Sequence, residues 1–181
     1  MSLRIRPAWV EDQPAIEQIE ELADTLLINY LDAVGWPPPS SASERASLSG
    51  FTRVAEMSNK KLETPKVVGF VHVLEIDNRA HLEQLSVLPE FGRRGIGRKL
   101  VSTALNESLR RGHKELTLRT YAHVPWNAPF YASCGFVQSE PTNTFLRELV
   151  EVEAALGLFE HGPRVQMTAV LQQHHDDCIP T

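Results

Sequence analysis

Apolar residues recur along this chain with two periods, and segments of the two kinds alternate. Leu3 and Ile5 alternate with Arg4 and Arg6 and predict an edge strand over Leu3–Pro7. Ile16, Ile19, Ala23, Leu26, Leu27 and Tyr30 then fall on one stripe at helical spacing, with Asp12 as the expected cap and Pro14 in the first turn. Gly35 to Ser40, with three prolines in succession, breaks that helix into an extended arm. Ser41 and Glu44 have capping-box spacing and predict a short second helix. Phe51–Met57 and Val67–Ile76 read as strands joined by the polar loop Ser58–Lys66. Asp77-Asn78 is a hairpin signal leading into the strand Ala80–Val87. A helix over Gly97–Arg111, a strand over Glu115–Thr120 and a short helix over Pro125–Ser133 follow. A strand then begins at Phe136–Gln138. Leu146, Leu149, Val152, Leu156 and Phe159 predict the core face of a helix over Thr144–Phe159, and Arg164–Leu171 alternates as a last strand. The order β-α-α-β-β-β-α-β-α-β-α-β predicts an α+β fold, with helices flanking a mostly antiparallel sheet of about seven strands.

Composition narrows the class. At 181 residues the chain is expected to be a single domain over 1–171, with a flexible polar tail over 172–181. No apolar run approaches the roughly 18 residues that span a bilayer. The N-terminus lacks a signal-like apolar segment, and the two cysteines, Cys134 and Cys178, have neither Cys-x-x-Cys nor zinc spacing. Together these point to the cytoplasm and to no membrane and no metal. The net charge of −5 argues against a nucleic-acid partner. The tract from His174 to Cys178 has metal-ligand residue types, but a polar terminus holds no fixed geometry.

The most informative stretch runs from Val87 to Arg98. A strand ends, the turn Gly92-Arg93-Arg94-Gly95-Ile96-Gly97-Arg98 follows, and a helix begins. That order aims unpaired backbone N–H groups at one point, where the helix dipole adds about half a positive charge. Gly95 and Gly97 allow close approach of a phosphate. The P-loop string is absent. The dinucleotide fingerprint fails because Leu100 stands at its third glycine.

Val87, Pro89, Gly95 and Gly97 stand in the register of the acyl-coenzyme A-binding motif of the GNAT superfamily of N-acetyltransferases. The string Val124 to Phe136, with Asn127, Phe130-Tyr131 and Gly135-Phe136, resembles that family's later motif. One position departs, since Gly92 stands where Gln or Arg is usual. The resemblance spans Leu3 to about Leu171 and implies a GNAT-like fold with an extra helix before the last strand. It also implies acetyl-CoA as cosubstrate, transfer to an amine by direct attack on the thioester, and a homodimer, a state common in the family. Acyl-CoA sensing without turnover, and transfer to a protein lysine or N-terminus, remain open.

The same resemblance assigns roles. Coenzyme contacts fall on Leu85, Ser86, Val87, Gly92, Arg93, Arg94, Gly95, Ile96, Gly97, Arg98, Asn127 and Tyr131. Tyr131 occupies the general-acid position, and a backbone N–H near Leu85–Val87 would hold the oxyanion. An alkylammonium of pKa near 10.4 is deprotonated about one time in a thousand at neutral pH, so a base is useful. Unbroken alternation would place His81, Glu83, Leu85 and Val87 on one face of their strand. His81 and Glu83 stand where the arylalkylamine acetyltransferases carry His-x-His. Glu83, through water, is the first choice of base and His81 the second. Family architecture puts Tyr30, Trp36, Tyr121, His123 and Trp126 on the acceptor wall, with Glu75 or Glu83 beside the aromatics.

Overall fold

The alternating segments become β1 (Ser2–Pro7), β2 (Gly50–Ser58), β3 (Lys66–Ile76), β4 (Arg79–Val87), β5 (Glu115–Tyr121), β6 (Val137–Ser139) and β7 (Arg164–Val170). In the computed structural model, which describes residues 2–58 and 65–172, they form one sheet ordered β1-β2-β3-β4-β5-β7-β6. Every pair is antiparallel except β4–β5. The helices are α1 (Gln13–Leu31), α2 (Ala42–Ser47), α3 (Ile96–Arg110), α4 (Ala128–Ala132) and α5 (Thr144–Ala155). Residues 59–64 of the expected polar loop, and the tail segment 173–181 with its His174-to-Cys178 tract, lie outside the described residues. No helix among those described is long and apolar enough to cross a membrane.

Local chemistry explains most boundaries. Asp77 and Asn78 both adopt positive φ, 49° and 61°, as a tight hairpin between β3 and β4 requires. The capping box forms at α2, where the Glu44 amide donates to Ser41 Oγ (3.3 Å) and the Ser41 amide to Glu44 Oε2 (2.7 Å). Asp12 departs from expectation. Its carboxylate leaves the amides of α1 unbonded, accepting instead from the Trp9 amide (2.7 Å) and from the fork of Arg6 (2.6 and 3.0 Å). A buried guanidinium is the stronger competitor for that carboxylate.

Register divides β3 and β4 between two faces. Leu82, Leu85 and Val87 lie opposite Val73, Val71 and Gly69, while His81, Gln84 and Ser86 lie opposite Leu74, His72 and Phe70. The slip occurs between His72 and Val73, which pair with Gln84 and Leu82. Glu83 is therefore the extra residue of a β-bulge. This corrects the unbroken alternation, because Leu85 and Val87 fall on the face opposite to His81. The face of Leu85 carries α3, whose C-terminal Arg111 reaches Glu75 (2.8 Å) and lies over Phe51 at 4.5 Å. The face of His81 carries α1, α2 and α5. Arg45 of α2 lies 5.5 Å from the Phe70 ring, and Phe145 of α5 meets His81 edge-on at 5.7 Å.

The two amphipathic helices of the His81 face dock differently from their apolar stripes. On α1, Ile16 and Ile19 are buried, but Leu26 and Tyr30 are half exposed. On α5 the buried residues are Phe145, Leu146 and Glu153, whereas Val152, Leu156 and Phe159 are 53, 48 and 40% exposed. The helix ends at Ala155, and Gly157 (φ 70°) starts a 3-10 turn, so Phe159 is not on α5. The helix is turned so that Glu153, not Val152, faces the sheet, where two arginines hold its carboxylate.

Candidate active site

β4 ends at Val87, passes through a 3-10 turn over Pro89–Phe91, and enters α3 through Gly92–Gly95. Gly92 is extended, Arg93 takes φ +59° and Gly95 φ +76°. A left-handed arginine costs about 1 kcal/mol or more, a strain typical of ligand loops. The first bond of the helix runs from the Lys99 amide to the Gly95 carbonyl (3.1 Å). The amides of Ile96, Gly97 and Arg98 therefore have no helical acceptor and point out of the helix end together. Ile96 itself is buried, so only its backbone faces outward.

The arginine side chains around this cradle are not equivalent. Arg98 is committed to the neighbouring helix, donating to the Ser133 carbonyl (2.7 Å) and to Ser133 Oγ (2.9 Å). Arg94 donates to the Glu90 carbonyl at 3.2 Å and lies 5.2 Å from the Phe91 ring. Arg93 is exposed and has no side-chain hydrogen bond among the described residues. Asn127 precedes α4, but its side chain makes no cap bond; its carbonyl accepts from the Tyr131 amide (3.0 Å).

Beside the cradle the sheet splits. β4 pairs with β5 only from Ala80 to Leu82, opposite Leu116 to Leu118. From Glu83 onward, and so through Leu85, Ser86 and Val87, the backbone has no β5 partner. Glu83 and Arg119 are the first residues past the last pair, one on each lip of the split. Ser86 is buried, and its Oγ accepts from Gln84 Nε2 (3.0 Å).

The lip at Glu83 carries the two candidate bases. His81 is buried, with Nδ1 2.8 Å from Thr117 Oγ1. That hydroxyl also lies 3.3 Å from the Ala80 carbonyl; with its proton given there, His81 Nδ1 donates and Nε2 is bare. Nε2 lies 3.8 Å from Glu83 Oε2. Burial, then the nearby Arg119 cation, pushes the imidazole down to about 3. An imidazole so placed is neutral near pH 7 and a poor base. Burial of its surroundings pushes the Glu83 carboxyl up, Glu153 adds to this, and Arg164 opposes it. Its side chain remains 45% exposed, so it meets both water and the split.

Tyr131 lies at the edge of the core, 9% exposed, against the rings of Phe130 (5.2 Å) and Phe136 (5.8 Å). Burial raises its phenol well above the ordinary value. The expected aromatic wall forms in part. Tyr30 meets Trp126 at 4.9 Å, and Trp36 lies 6.3 Å from Tyr121. Tyr121 is fully buried beneath Arg164, and its hydroxyl donates to the Leu158 carbonyl (2.8 Å); it is floor, not open wall. His123 sits edge-on to Tyr121 at 6.2 Å. Glu75 is elsewhere. It binds His113 (2.7 Å) and Arg111 on the opposite face, so it cannot join the aromatics. A separate depression of about 260 Å³, lined by Trp9, Arg45, Leu48, Phe51, Thr52 and His72, shares no residue with cradle or split.

Sequence reasoning missed the strongest electrostatic feature near the split. Arg119 Nε donates to Glu153 Oε2 (2.7 Å), and Arg164 Nη2 donates to Glu153 Oε1. The three side chains are 7, 10 and 12% exposed. They come from β5, α5 and β7, and no spacing links them. The one available signal was that Arg119 shares strand parity with Thr117 and Tyr121, both buried.

Comparison with known proteins decides the family. The sequence model of the acetyltransferase (GNAT) family matches residues 16–136, which include both the cradle and Tyr131. The chain belongs to the GNAT acetyltransferase family. It is an N-acetyltransferase by that membership, and solved structures of the superfamily share its fold. The Escherichia coli ribosomal-protein-S18-alanine N-acetyltransferase is 21% identical with a TM-score of 0.64, over 97% of this chain and 98% of that one. The PaiA N-acetyltransferase of Thermoplasma acidophilum, in complex with coenzyme A, is 18% identical with a TM-score of 0.63, over 94 and 99%. Ard1 of Thermoplasma volcanium is 18% identical with a TM-score of 0.62, over 96 and 100%. For this GNAT protein such identities speak to fold alone. The matched span ends at Phe136, before α5 and β7.

Proposed function

We propose that this GNAT protein transfers the acetyl group of acetyl-CoA to an amine by direct attack on the thioester. The observation that carries the reading is the meeting of cradle and split. Unpartnered amides of Ile96–Arg98 lie at one end, and the backbone of Glu83–Val87, paired with β3 but without β5 on its other side, lies at the other. The amides suit the coenzyme's pyrophosphate, with Arg93 and Arg94 as its cationic neighbours and Asn127 beside the chain. The thioester would run along β4, where a backbone N–H of Leu85–Val87 meets the oxyanion; such a donor is worth about 3 kcal/mol. Glu83 takes the ammonium proton through water, with His81 Nε2 as its fixed neighbour. The raised Glu83 carboxyl suits a base better than an ordinary carboxylate does. Tyr131, held protonated by its surroundings, gives its proton to the departing thiolate and is recharged by the second proton, which the acylated nitrogen sheds.

An amine panel assayed by free-thiol release, alongside calorimetry of acetyl-CoA, tests this. The expected result is coenzyme binding together with amine-dependent thiol release. Binding without release for every amine would turn the reading to an acyl-CoA sensor.

A further inference from the structure

The triad Arg119–Glu153–Arg164 leaves one positive charge over. Two guanidiniums share a single carboxylate in a site where all three side chains are about nine-tenths buried. Both oxygens of Glu153 are already taken, one by each arginine. Arg164 Nε is buried and has no hydrogen-bond partner among the described residues. In the neighbouring register position, opposite Arg119, the buried Gln166 Oε1 is also unpartnered. Its amide orientation is fixed, since Nε2 donates to the Glu140 carbonyl (3.0 Å) and to Ser139 Oγ (3.0 Å). Buried polar atoms in native structures are nearly always paired, so an orphan guanidinium N–H is a place where a partner is missing.

Strand register sets this cluster against the split. Arg119, Gln166 and Arg164 share the sheet face of Thr117 and His81, because Arg119 pairs with Gln166 and Tyr121 with Arg164. Arg119 stands across the split from Glu83, each the first residue past the last β4–β5 pair. Arg164 lies one step further along, its Cζ 4.6 Å from the Tyr121 ring, and Trp36 lies 6.3 Å from the same ring. The base and the surplus cation are therefore neighbours on one face. The Arg164 charge is felt at Glu83, and that of Arg119 at His81.

We infer that Arg164, backed by Arg119, anchors a carboxylate of the acceptor, so that the substrate is a small amine bearing a carboxylate a few bonds from its nitrogen, as in a free amino acid. The inference rests on the acetyl-transfer reading of the same split and names its acceptor class. An acceptor carboxylate completes a cluster of two guanidiniums and two carboxylates, accepts from Arg164 Nε, and points the amine back toward Glu83. A bare amine offers the cluster nothing and leaves the orphan donor buried. Arg164 and Glu153 lie beyond the span that the family model matches.

Three pairs of acceptors separate carboxylate from amine: phenylalanine with phenethylamine, leucine with isoamylamine, and lysine with cadaverine. Thiol release should favour the carboxylate-bearing member of at least one pair by about tenfold or more in kcat/KM. Arg164→Gln should erase that preference by raising KM for the amino acid, while acetyl-CoA affinity holds within about twofold. Arg164→Lys, which keeps charge and the Glu153 pair but loses Nε, should fall between, and serves as the reference where Arg164→Gln is poorly folded. Calorimetry of the same acceptors on the coenzyme A complex reads the anchor without turnover. Equal or better use of the bare amine in all three pairs, or equal loss for both members in Arg164→Gln, overturns the anchor. So does calorimetry without tighter binding of any carboxylate-bearing member. Failure of acetyl-CoA to bind is a different result, and strikes the acetyl-transfer reading itself.

Discussion

On one face of the sheet, α3 and the loop before it offer backbone: three unbonded amides, a left-handed arginine and a left-handed glycine. On the other face, α1, α2, α5 and the strands beneath them offer side chains: Glu20 against Arg45 at 2.5 Å, Glu83 beside His81, and Glu153 between Arg119 and Arg164. The first kind of site needs only that a strand, a glycine turn and a helix follow in order. It therefore tolerates sequence change and suits a ligand that does not vary. The second kind depends on which charges happen to meet across three or four elements. It can be rebuilt without disturbing the sheet, and a ligand that differs between proteins belongs there. Its carboxylates record the cost of that freedom: burial pushes Glu20 up to about 7 and Asp24 up to about 6.

Tyr131 sits where the two regions meet, and its removal has the largest expected effect. Tyr131→Phe keeps the ring contacts with Phe130 and Phe136 and deletes one hydroxyl, which has no hydrogen-bond partner among the described residues. Turnover should fall roughly 10²-fold, the range of lost acid catalysis, with acetyl-CoA affinity unchanged by calorimetry. A rate within twofold of the parent would make Tyr131 a packing residue and leave the thiolate without its acid.

Next in size is the cradle. Gly97→Asp places a carboxylate where the pyrophosphate would lie, and acetyl-CoA affinity should fall by at least about tenfold. A Cβ at Gly97 would meet only Phe130 Cζ, at 3.5 Å, an ordinary contact. Gly97→Ala should therefore fold and gain up to about 1 kcal/mol of helix stability. If Gly97→Ala lowers affinity as much as Gly97→Asp, close backbone approach rather than charge governs the site. If neither lowers it, the contrast between a backbone face and a side-chain face fails on the coenzyme side.

The same contrast explains what could be read from the chain. The succession of elements, the hairpin at Asp77-Asn78, the capping box at Ser41 and the strand-turn-helix cradle rest on local chemistry, and local chemistry is written in neighbouring residues. The bulge at Glu83 is not local. It arises from pairing with His72 and Val73, so unbroken alternation misplaced Leu85 and Val87. Apolar count misjudged α5 in the same way. Val152, Leu156 and Phe159 outnumber Glu153, but one carboxylate held by two buried guanidiniums turned the helix. Arg98 belonged to the motif by position, yet Ser133, which meets it only in the fold, claimed its side chain.

The smallest expected effect is also the sharpest test of the side-chain face. Glu83→Gln keeps size and hydrogen bonding and loses basicity. The ratio of parent to variant rate should pass through a maximum with pH. At low pH the parent's own carboxyl is protonated, and because burial raises that carboxyl, the ratio should begin to climb at a higher pH than an ordinary glutamate would dictate. At high pH the acceptor arrives deprotonated as its pKa of about 10 is approached, the base becomes superfluous, and the ratio should fall again. The descent should be visible between about pH 8 and 9.5 as a change of several-fold. His81→Gln removes a neighbour that stays neutral throughout, since its imidazole titrates only near 3. Its ratio should be small and level over the same range. A flat profile for Glu83→Gln would mean that the carboxylate only orders the split. A maximum for His81→Gln with a level line for Glu83→Gln would make the imidazole the base, and would require the acceptor to change its surroundings before the proton moves.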